Sequence, residues 1–426
     1  MKTIPIYKVS GLKRKVIVLF TIFFVTLTSC LPRFQEEILE DNGFSPERID
    51  RLSEVMNEYV AAGRLSGAVV LVTHNGDDII YEAFGMRDLE TADTMRVDAL
   101  FRIASQSKAI IAVAVMMLQE EGKLLIGDPV GKYLTEFMHT TVYEDGQVVP
   151  GRRPITIRDM LTHTAGIGYG WGPVASYWQE AGIQGWYFAD RDEPIRETVR
   201  RMASLPFETH PGERYVYGYA NDILGALIEE VSGQPLDEFL QTHIFDPLRM
   251  PDTFFFVPEE KVDRLATVYS STGDGGIERA PDEGTMVSQG HYVNGPRKSF
   301  SGGAGLVSTA RDYGRFLQMM LNGGELDGQR ILSPRTVELM TVNHLHDIDF
   351  AVGRGLGLGF DVVTDMGLRG TPGAVGDFGW GGAYHSTYWV SPQDELVVVF
   401  FTQLIPATGS DIHGKLRTLI YQAMVE

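Results

Sequence analysis

Ser105-Gln106-Ser107-Lys108 sets a serine hydroxyl and a lysine amine three residues apart at the head of a long apolar stretch. At helical spacing these two side chains share one face, so the amine can reach the hydroxyl. A serine hydroxyl is a weak nucleophile until a neighbouring base takes its proton. A lysine serves as that base only in its neutral form, which burial and nearby positive groups favour. The chemistry implied is attack by serine on a carbonyl carbon. The start of a helix adds backbone N–H groups that face developing negative charge. Ser107 lacks the three-residue relation to Lys108, so Ser105 is the expected nucleophile. The pattern alone is weak, since average composition predicts on the order of one or two matches by chance in such a chain. A second match, Ser10 to Lys13, falls in the N-terminal leader.

Positioning the pair requires a rigid frame. Leu100 to Ile103 reads as a strand leading into the motif, and Ala109 to Glu121 is apolar on nearly every side before it stops at Gly122. A helix that is hydrophobic all round is a buried helix. Before it, Ser45-Pro46-Glu47 opens a helix whose apolar positions, Ile49, Leu52, Val55, Met56 and Tyr59, recur at helical spacing. Ala68 to Thr73 and Ile79 to Phe84 form two strands joined by an Asn75-Gly76 turn. Residues 123 to 296 are rich in Gly, Pro and aromatics, with a helix over Ile223 to Val231 ending at Gly233. Ser308 to Leu321 reads as an amphipathic helix. Tyr384 to Val390 and Leu396 to Phe401 are strand-like, and a helix closes the chain from Ile412 to Met424. Strands near both ends with a long helical insert between them predict one sheet built from the two termini.

Bulk properties narrow the function further. A net charge of -19 argues against a nucleic-acid partner, because phosphate binding needs a basic footprint. Lys2, Lys8, Lys13, Arg14 and Lys15 precede an apolar run from Val16 to Leu27, the layout of an export signal. That run falls short of the about 20 apolar residues of a spanning helix. Leu27-Thr28-Ser29-Cys30 resembles the bacterial lipobox, which implies cleavage before Cys30 and acylation of its thiol. Cys30 is the only cysteine, so it has no internal disulfide to make. The expected division is a signal peptide over 1–29, a polar tether over 30–43 and one hydrolase domain over 44–426. The membrane partner then comes through the lipid on Cys30, at the bacterial cell envelope.

Phe101-Arg102-Ile103-Ala104-Ser105-Gln106-Ser107-Lys108, followed by Glu121-Gly122-Lys123-Leu124, resembles the class C β-lactamase superfamily. That group includes penicillin-binding D,D-peptidases, β-lactamases and β-lactamase-like esterases. Further matches follow in family order: Asp128-Pro129-Val130, Ile155 to Gly166, Pro211 to Arg214, Ser301 to Leu306 and Gly379-Trp380-Gly381-Gly382. The resemblance covers nearly everything from residue 45 onward. It implies an α/β fold of the β-lactamase/transpeptidase type, an antiparallel sheet flanked by helices plus a helical lobe.

The resemblance also implies a tyrosine that shares the proton work with Lys108. Tyr219-Ala220-Asn221 matches the family's Tyr-x-Asn letters, whereas Tyr217 lies at the family's distance from Pro211-Gly212. Spacing is the stronger guide, because a loop of fixed length positions the phenol, so Tyr217 is the expected partner. Tyr219 then replaces the family asparagine beside the substrate. Trp380-Gly381-Gly382 stands where a Lys- or His-led triplet usually lines a sheet-edge strand. The N–H groups of Ser105 and Ala383 would form the oxyanion hole. Trp380, Gly381, Gly382 and Tyr219 would contact substrate. Trp380 cannot offer the positive charge that a lysine gives a penicillin carboxylate, and this form resembles the esterase branch. The expected substrate is a small ester or acyl compound, with D,D-peptidase or β-lactamase activity as the alternative. A non-catalytic envelope binding protein is the reading of another class, opposed by the intact Ser105/Lys108 pair.

No cofactor or metal is expected. His344-Leu345-His346-Asp347 lacks the aspartate spacing of a dinuclear hydrolase centre, since Ile348 stands at the needed place. His163 reads as an interior hydrogen-bonding histidine. Tyr169, Trp171, Tyr177, Trp178, Trp186 and Tyr187 read as packing or surface of the lobe. No Gly-x-Ser-x-Gly occurs, which removes the α/β-hydrolase elbow.

Overall fold

The computed structural model describes residues 38–425. The leader, Cys30 and residues 31–37 of the expected tether lie outside the described residues. An eight-stranded antiparallel sheet forms the frame. Its strands are β1 (Gly67–His74), β2 (Asp77–Asp88), β3 (Asp93–Thr94), β4 (Arg354–Leu356), β5 (Asp361–Val363), β6 (Phe378–Gly381), β7 (Thr387–Ser391) and β8 (Leu396–Thr402). They run in the order β4-β5-β6-β7-β8-β1-β2-β3, so the pairing of β1 with β8 closes the two ends of the chain onto each other.

The central strands are continuous apolar runs because both of their faces are covered. Alternate residues of β1 and β8 divide between two cores. Val69, Leu71, Val397, Val399 and Phe401 face the larger one, while Val70, Val72, Val398 and Phe400 face the smaller. The smaller core is capped by α1 (Pro46–Ala61) and α5 (Ile412–Ala423). The larger core holds α2 (Ser107–Glu120), α3 (Ala220–Ser232) and α4 (Ala310–Leu321). Helix α2 packs against α3, the main helix of the insert. Every residue of α2 from Ser107 to Met116 is buried, which explains its apolar circumference. Asn75 and Gly76 both take positive φ, 52° and 87°, so the short turn matches the twist of the β1–β2 hairpin.

Four expectations need correction. The strand that begins at Tyr384 in the sequence begins at Thr387 instead, because the Gly382 N–H donates to the Ser386 carbonyl at 2.8 Å and closes a turn there. The amphipathic helix starts at Ala310; Thr309 caps it by accepting from the Asp312 N–H at 3.1 Å, and Ser308 pairs with Phe101 in a short bridge. Packing reaches back into the expected tether, where Leu39 is buried and accepts the Phe44 N–H at 2.8 Å. The insert is not purely helical either. Thr141–Glu144, Gln147–Pro150 and Pro206–Phe207 form a three-stranded sheet within it.

Phe401 sits where the sheet meets the site-bearing helices, 5.6 Å from the Phe101 ring and 5.7 Å from the Tyr313 ring between centroids. Phe401→Ala is expected to cost about 3–5 kcal/mol of stability. Urea unfolding followed by circular dichroism checks this, and a shift under about 1 kcal/mol would contradict the packing described.

Candidate functional site

The site begins with a strained turn. Phe101–Arg102 delivers the chain to a single 3-10 turn, Ala104–Gln106, which runs directly into α2. Ala104, the residue before Ser105, holds φ at 43°, a conformation that costs a residue with a Cβ about 1–3 kcal/mol. The surrounding structure fixes it. The Ile103 N–H donates to the Leu306 carbonyl at 3.0 Å, and the Tyr313 hydroxyl donates to the Gln106 carbonyl at 2.9 Å. Ser107 belongs to this scaffold, because its buried Oγ accepts the Leu306 N–H at 3.1 Å.

Lys108 is buried and reaches three acceptors from three separate segments. Its Nζ donates to Ser105 Oγ at 3.2 Å, to Tyr169 Oη at 3.2 Å and to the Gly303 carbonyl at 2.6 Å. It also lies 4.7 Å from the centroid of the Tyr217 ring. The Gly303 carbonyl is itself held in place. Asp222, buried at the start of α3, accepts from Ser301 Oγ at 2.6 Å and from the Gly303 N–H at 3.1 Å. A Cβ at residue 303 would stand 2.4 Å from Asp222 Oδ2, so this turn requires glycine. Burial raises the Asp222 carboxyl above its ordinary range, opposed by the Ser301 hydrogen bond and the charge of Lys108.

The two tyrosine candidates separate cleanly. Tyr217 is half-buried, and its hydroxyl accepts from Trp380 Nε1 at 3.3 Å. Tyr219 is wholly buried, stacked 5.3 Å from Trp178, with its hydroxyl donating to the Gly185 carbonyl at 2.8 Å. Expected beside the substrate, Tyr219 is instead a core residue, because Tyr169, Trp178 and Phe188 enclose its ring at the start of α3. Asn221 is also buried, with its side-chain nitrogen 3.4 Å from His163 Nε2.

Trp380, Gly381 and Gly382 come from the end of β6. This strand lies inside the sheet rather than at its edge, yet β5 pairs only with Phe378 and Gly379. From Trp380 onward that side of the strand is open. Gly382 approaches the nucleophile turn so closely that a Cβ would lie 2.6 Å from the Ile103 carbonyl. Among the described residues, no loop, cap or side-chain acceptor takes the backbone N–H of Ser105 or of Ala383.

Sequence reasoning missed Tyr169 as a neighbour of Lys108. It was grouped with five other aromatics, of which Trp178 and Tyr187 are buried in the lobe and Trp171 and Tyr177 are exposed. Only its place six residues beyond His163 hinted otherwise, since that segment packs against the Tyr217 loop. A Cβ on Gly218 would collide with the Ile167 carbonyl at 2.3 Å. Burial holds the Tyr169 phenol well above its usual pKa. Phe350 was also missed; it stacks on Trp380 at 6.2 Å and 10°. His344, set aside as a metal ligand, has its Nε2 2.8 Å from the Leu339 carbonyl. No group of three or more potential metal ligands occurs among the described residues.

His163 packs 4.7 Å from the Tyr217 ring, and burial with the nearby Lys108 charge lowers its pKa to about 3. It is therefore neutral in the folded protein, while the unfolded chain protonates it near pH 6.5. Between those values the unfolded state binds more protons, so stability falls as pH drops from 6.5 toward 3. His163→Gln is expected to flatten that decline, measured as urea midpoints at several pH values. An unchanged slope would mean that His163 is protonated in the native state.

The chain matches known proteins over most of its length. The family model described as Beta-lactamase matches residues 52–421. The Mycobacterium tuberculosis protein Rv1367c is 34% identical over 386 residues, covering 84% of this chain and 90% of that protein. Esterase EstB of Burkholderia gladioli is 32% identical over 369 residues, covering 83% and 89%. Among solved structures, EstCE1, described as a hydrolase with promiscuous acyltransferase activity, superposes with a TM-score of 0.77 at 29% identity, covering 89% of this chain and 99% of that one.

Proposed function

The chain belongs to the beta-lactamase family and is a serine hydrolase, and we propose that it cleaves carboxylic esters through an acyl-enzyme on Ser105. The observation that carries this reading is the Lys108 Nζ, 3.2 Å from Ser105 Oγ and directly over the Tyr217 ring. Ser105 Oγ attacks the ester carbonyl while its proton passes to the Lys108/Tyr217 pair. The N–H groups of Ser105 and Ala383 hold the tetrahedral oxyanion. The pair returns the proton to the departing alkoxide, which leaves as an alcohol. A water molecule then gives its proton to the same pair and attacks the acyl-enzyme, and the pair returns that proton to Ser105 Oγ as the acid is released.

Two features favour esters over β-lactams and peptides. Trp380, linked to Tyr217 and stacked on Phe350, makes an aromatic wall with no positive charge at the family's lysine position. The Tyr217 loop also offers the cleft no side-chain amide, because Tyr219 and Asn221 are both buried. The esterase name of one relative at 32% identity adds to this reading. We place the enzyme at the bacterial cell envelope, anchored by a lipid on Cys30.

Ser105→Ala is expected to abolish both fluorophosphonate labelling and hydrolysis of 4-nitrophenyl butyrate. Tyr217→Phe is expected to lower kcat by about 10²–10⁴-fold, the usual range for an acid–base group. Tyr219→Phe should act mainly on stability. Clear penicillin hydrolysis without ester turnover, by contrast, would move the assignment to the β-lactam branch. For the anchor, Cys30→Ala should shift the protein from the membrane to the soluble fraction on cell fractionation, and retention at the membrane would remove the lipid from the account.

A further inference from the structure

A second cavity lies against β6 on the face opposite the Tyr217 loop. Its volume is about 670 Å³, and its lining includes Trp380, Gly381, Gly382, Arg369, Thr371 and Trp389. It exists because of two facts about β6. Gly379 faces this side without a side chain, directly opposite Trp389 in the register, and β5 stops pairing before Trp380. The open edge of β6 at Trp380 therefore borders this cavity.

Its charge is unusual for a chain whose net charge is -19. Three guanidinium groups and two carboxylates line it: Arg354, Arg369, Arg417, Asp361 and Asp377. Arg354 pairs with Asp361, and Arg417 pairs with Asp377 and donates to the Pro372 carbonyl at 2.6 Å. These pairs engage both acids, though Asp377 Oδ1 stays buried without a partner, and three guanidinium groups against two carboxylates leave Arg369 as the surplus cation. Its Nη1 is buried without a hydrogen-bond partner among the described residues. Trp389 Nε1 and Thr371 Oγ1, on the same cavity wall, are likewise buried and unpartnered. Arg369 is half-buried, but its enclosed Nη1 without an acceptor is costly, and three donors lining one cavity suit the two oxygens of a carboxylate. Phe350, stacked on Trp380, and Val352 add apolar lining to the same cavity.

We propose that this cavity is a carboxylate subsite, and that the preferred substrates are esters whose acyl chain ends in a carboxylate held by Arg369, Trp389 and Thr371. The inference rests on the esterase reading. The acyl chain leaves the carbonyl at Ser105, passes the open edge of β6 against Trp380 and Phe350, and ends at Arg369. The subsite draws its charge from the segment before β6, not from the position of Trp380. It acts by binding alone and adds no chemical step.

The test uses the full-length chain and the mono-4-nitrophenyl esters of glutaric, adipic and suberic acid. Each is paired with the neutral 4-nitrophenyl ester of equal acyl length. At least one carboxylated ester should exceed its neutral partner in kcat/KM, and Arg369→Gln should lower that ratio about tenfold or more, chiefly through KM. Thr371→Val should lower the ratio in the same direction by less. Because the ratio is internal to each variant, general loss of folded enzyme cancels from it. A wild-type enzyme that favours the neutral ester at every length, or a ratio unmoved by Arg369→Gln, overturns the subsite. If neither kind of ester is turned over, the esterase reading fails, and titration with adipate followed by tryptophan fluorescence decides the subsite alone. Saturable adipate binding weakened about tenfold by Arg369→Gln would sustain it, and no binding would end it.

Discussion

A lysine nitrogen taken out of water must find hydrogen-bond partners, or its burial costs free energy. Lys108 meets that demand with Ser105, Tyr169 and the Gly303 carbonyl, drawn from three segments far apart in the chain. The sheet, the lobe and the loop before α4 must therefore all be in place before the lysine is satisfied. The same contacts bring the amine to the serine hydroxyl. Folding and reactivity thus depend on one set of hydrogen bonds, and Asp222 extends that set by fixing the Gly303 turn from behind.

The sheet makes the lysine's position rigid. Pairing of β1 with β8 locks the two ends of the chain together, and α1 and α5 cover the outer face of that joint. On the inner face, α2 is buried along its length, so neither Ser105 nor Lys108 can shift without disturbing the larger core. The strain at Ala104 is tolerable for this reason. Hydrogen bonds from Ile103 and to Gln106 hold the turn on both sides, and Gly382 presses against the Ile103 carbonyl. That close approach brings the end of β6 beside the nucleophile.

Aromatic side chains set the character of the cleft. Tyr169, Tyr217, Trp380 and Phe350 form a connected wall from the lysine to the open edge of β6. A wall of this kind excludes water from the reacting carbonyl and strengthens nearby dipoles. Its apolar surface ends where the paired and unpaired guanidinium groups begin. The two regions meet at Trp380, which borders both.

How much of this could be read beforehand differs from residue to residue. Ser105, Lys108 and their buried helix were legible because spacing along one helix turn is a local property, and a 13-residue apolar run has one sensible destination. The β1–β2 hairpin was legible for the same reason, from two apolar runs joined by an Asn-Gly turn. Tyr217 over Tyr219 could be argued from loop length, which local sequence also records. Tyr169, the Gly303 carbonyl and Phe350 could not, because each reaches the site only through contacts between positions well separated in the chain, such as the 61-residue and 195-residue separations of the lysine bonds. The sequence by itself determined the spacing of Ser105 and Lys108 at the head of a buried helix and, through the family resemblance, the layered fold, because both are recorded in local pattern. Only the tertiary structure decided which tyrosine is buried, where β6 opens and which arginine is left unpaired, because those depend on the accounting of partners across the whole molecule.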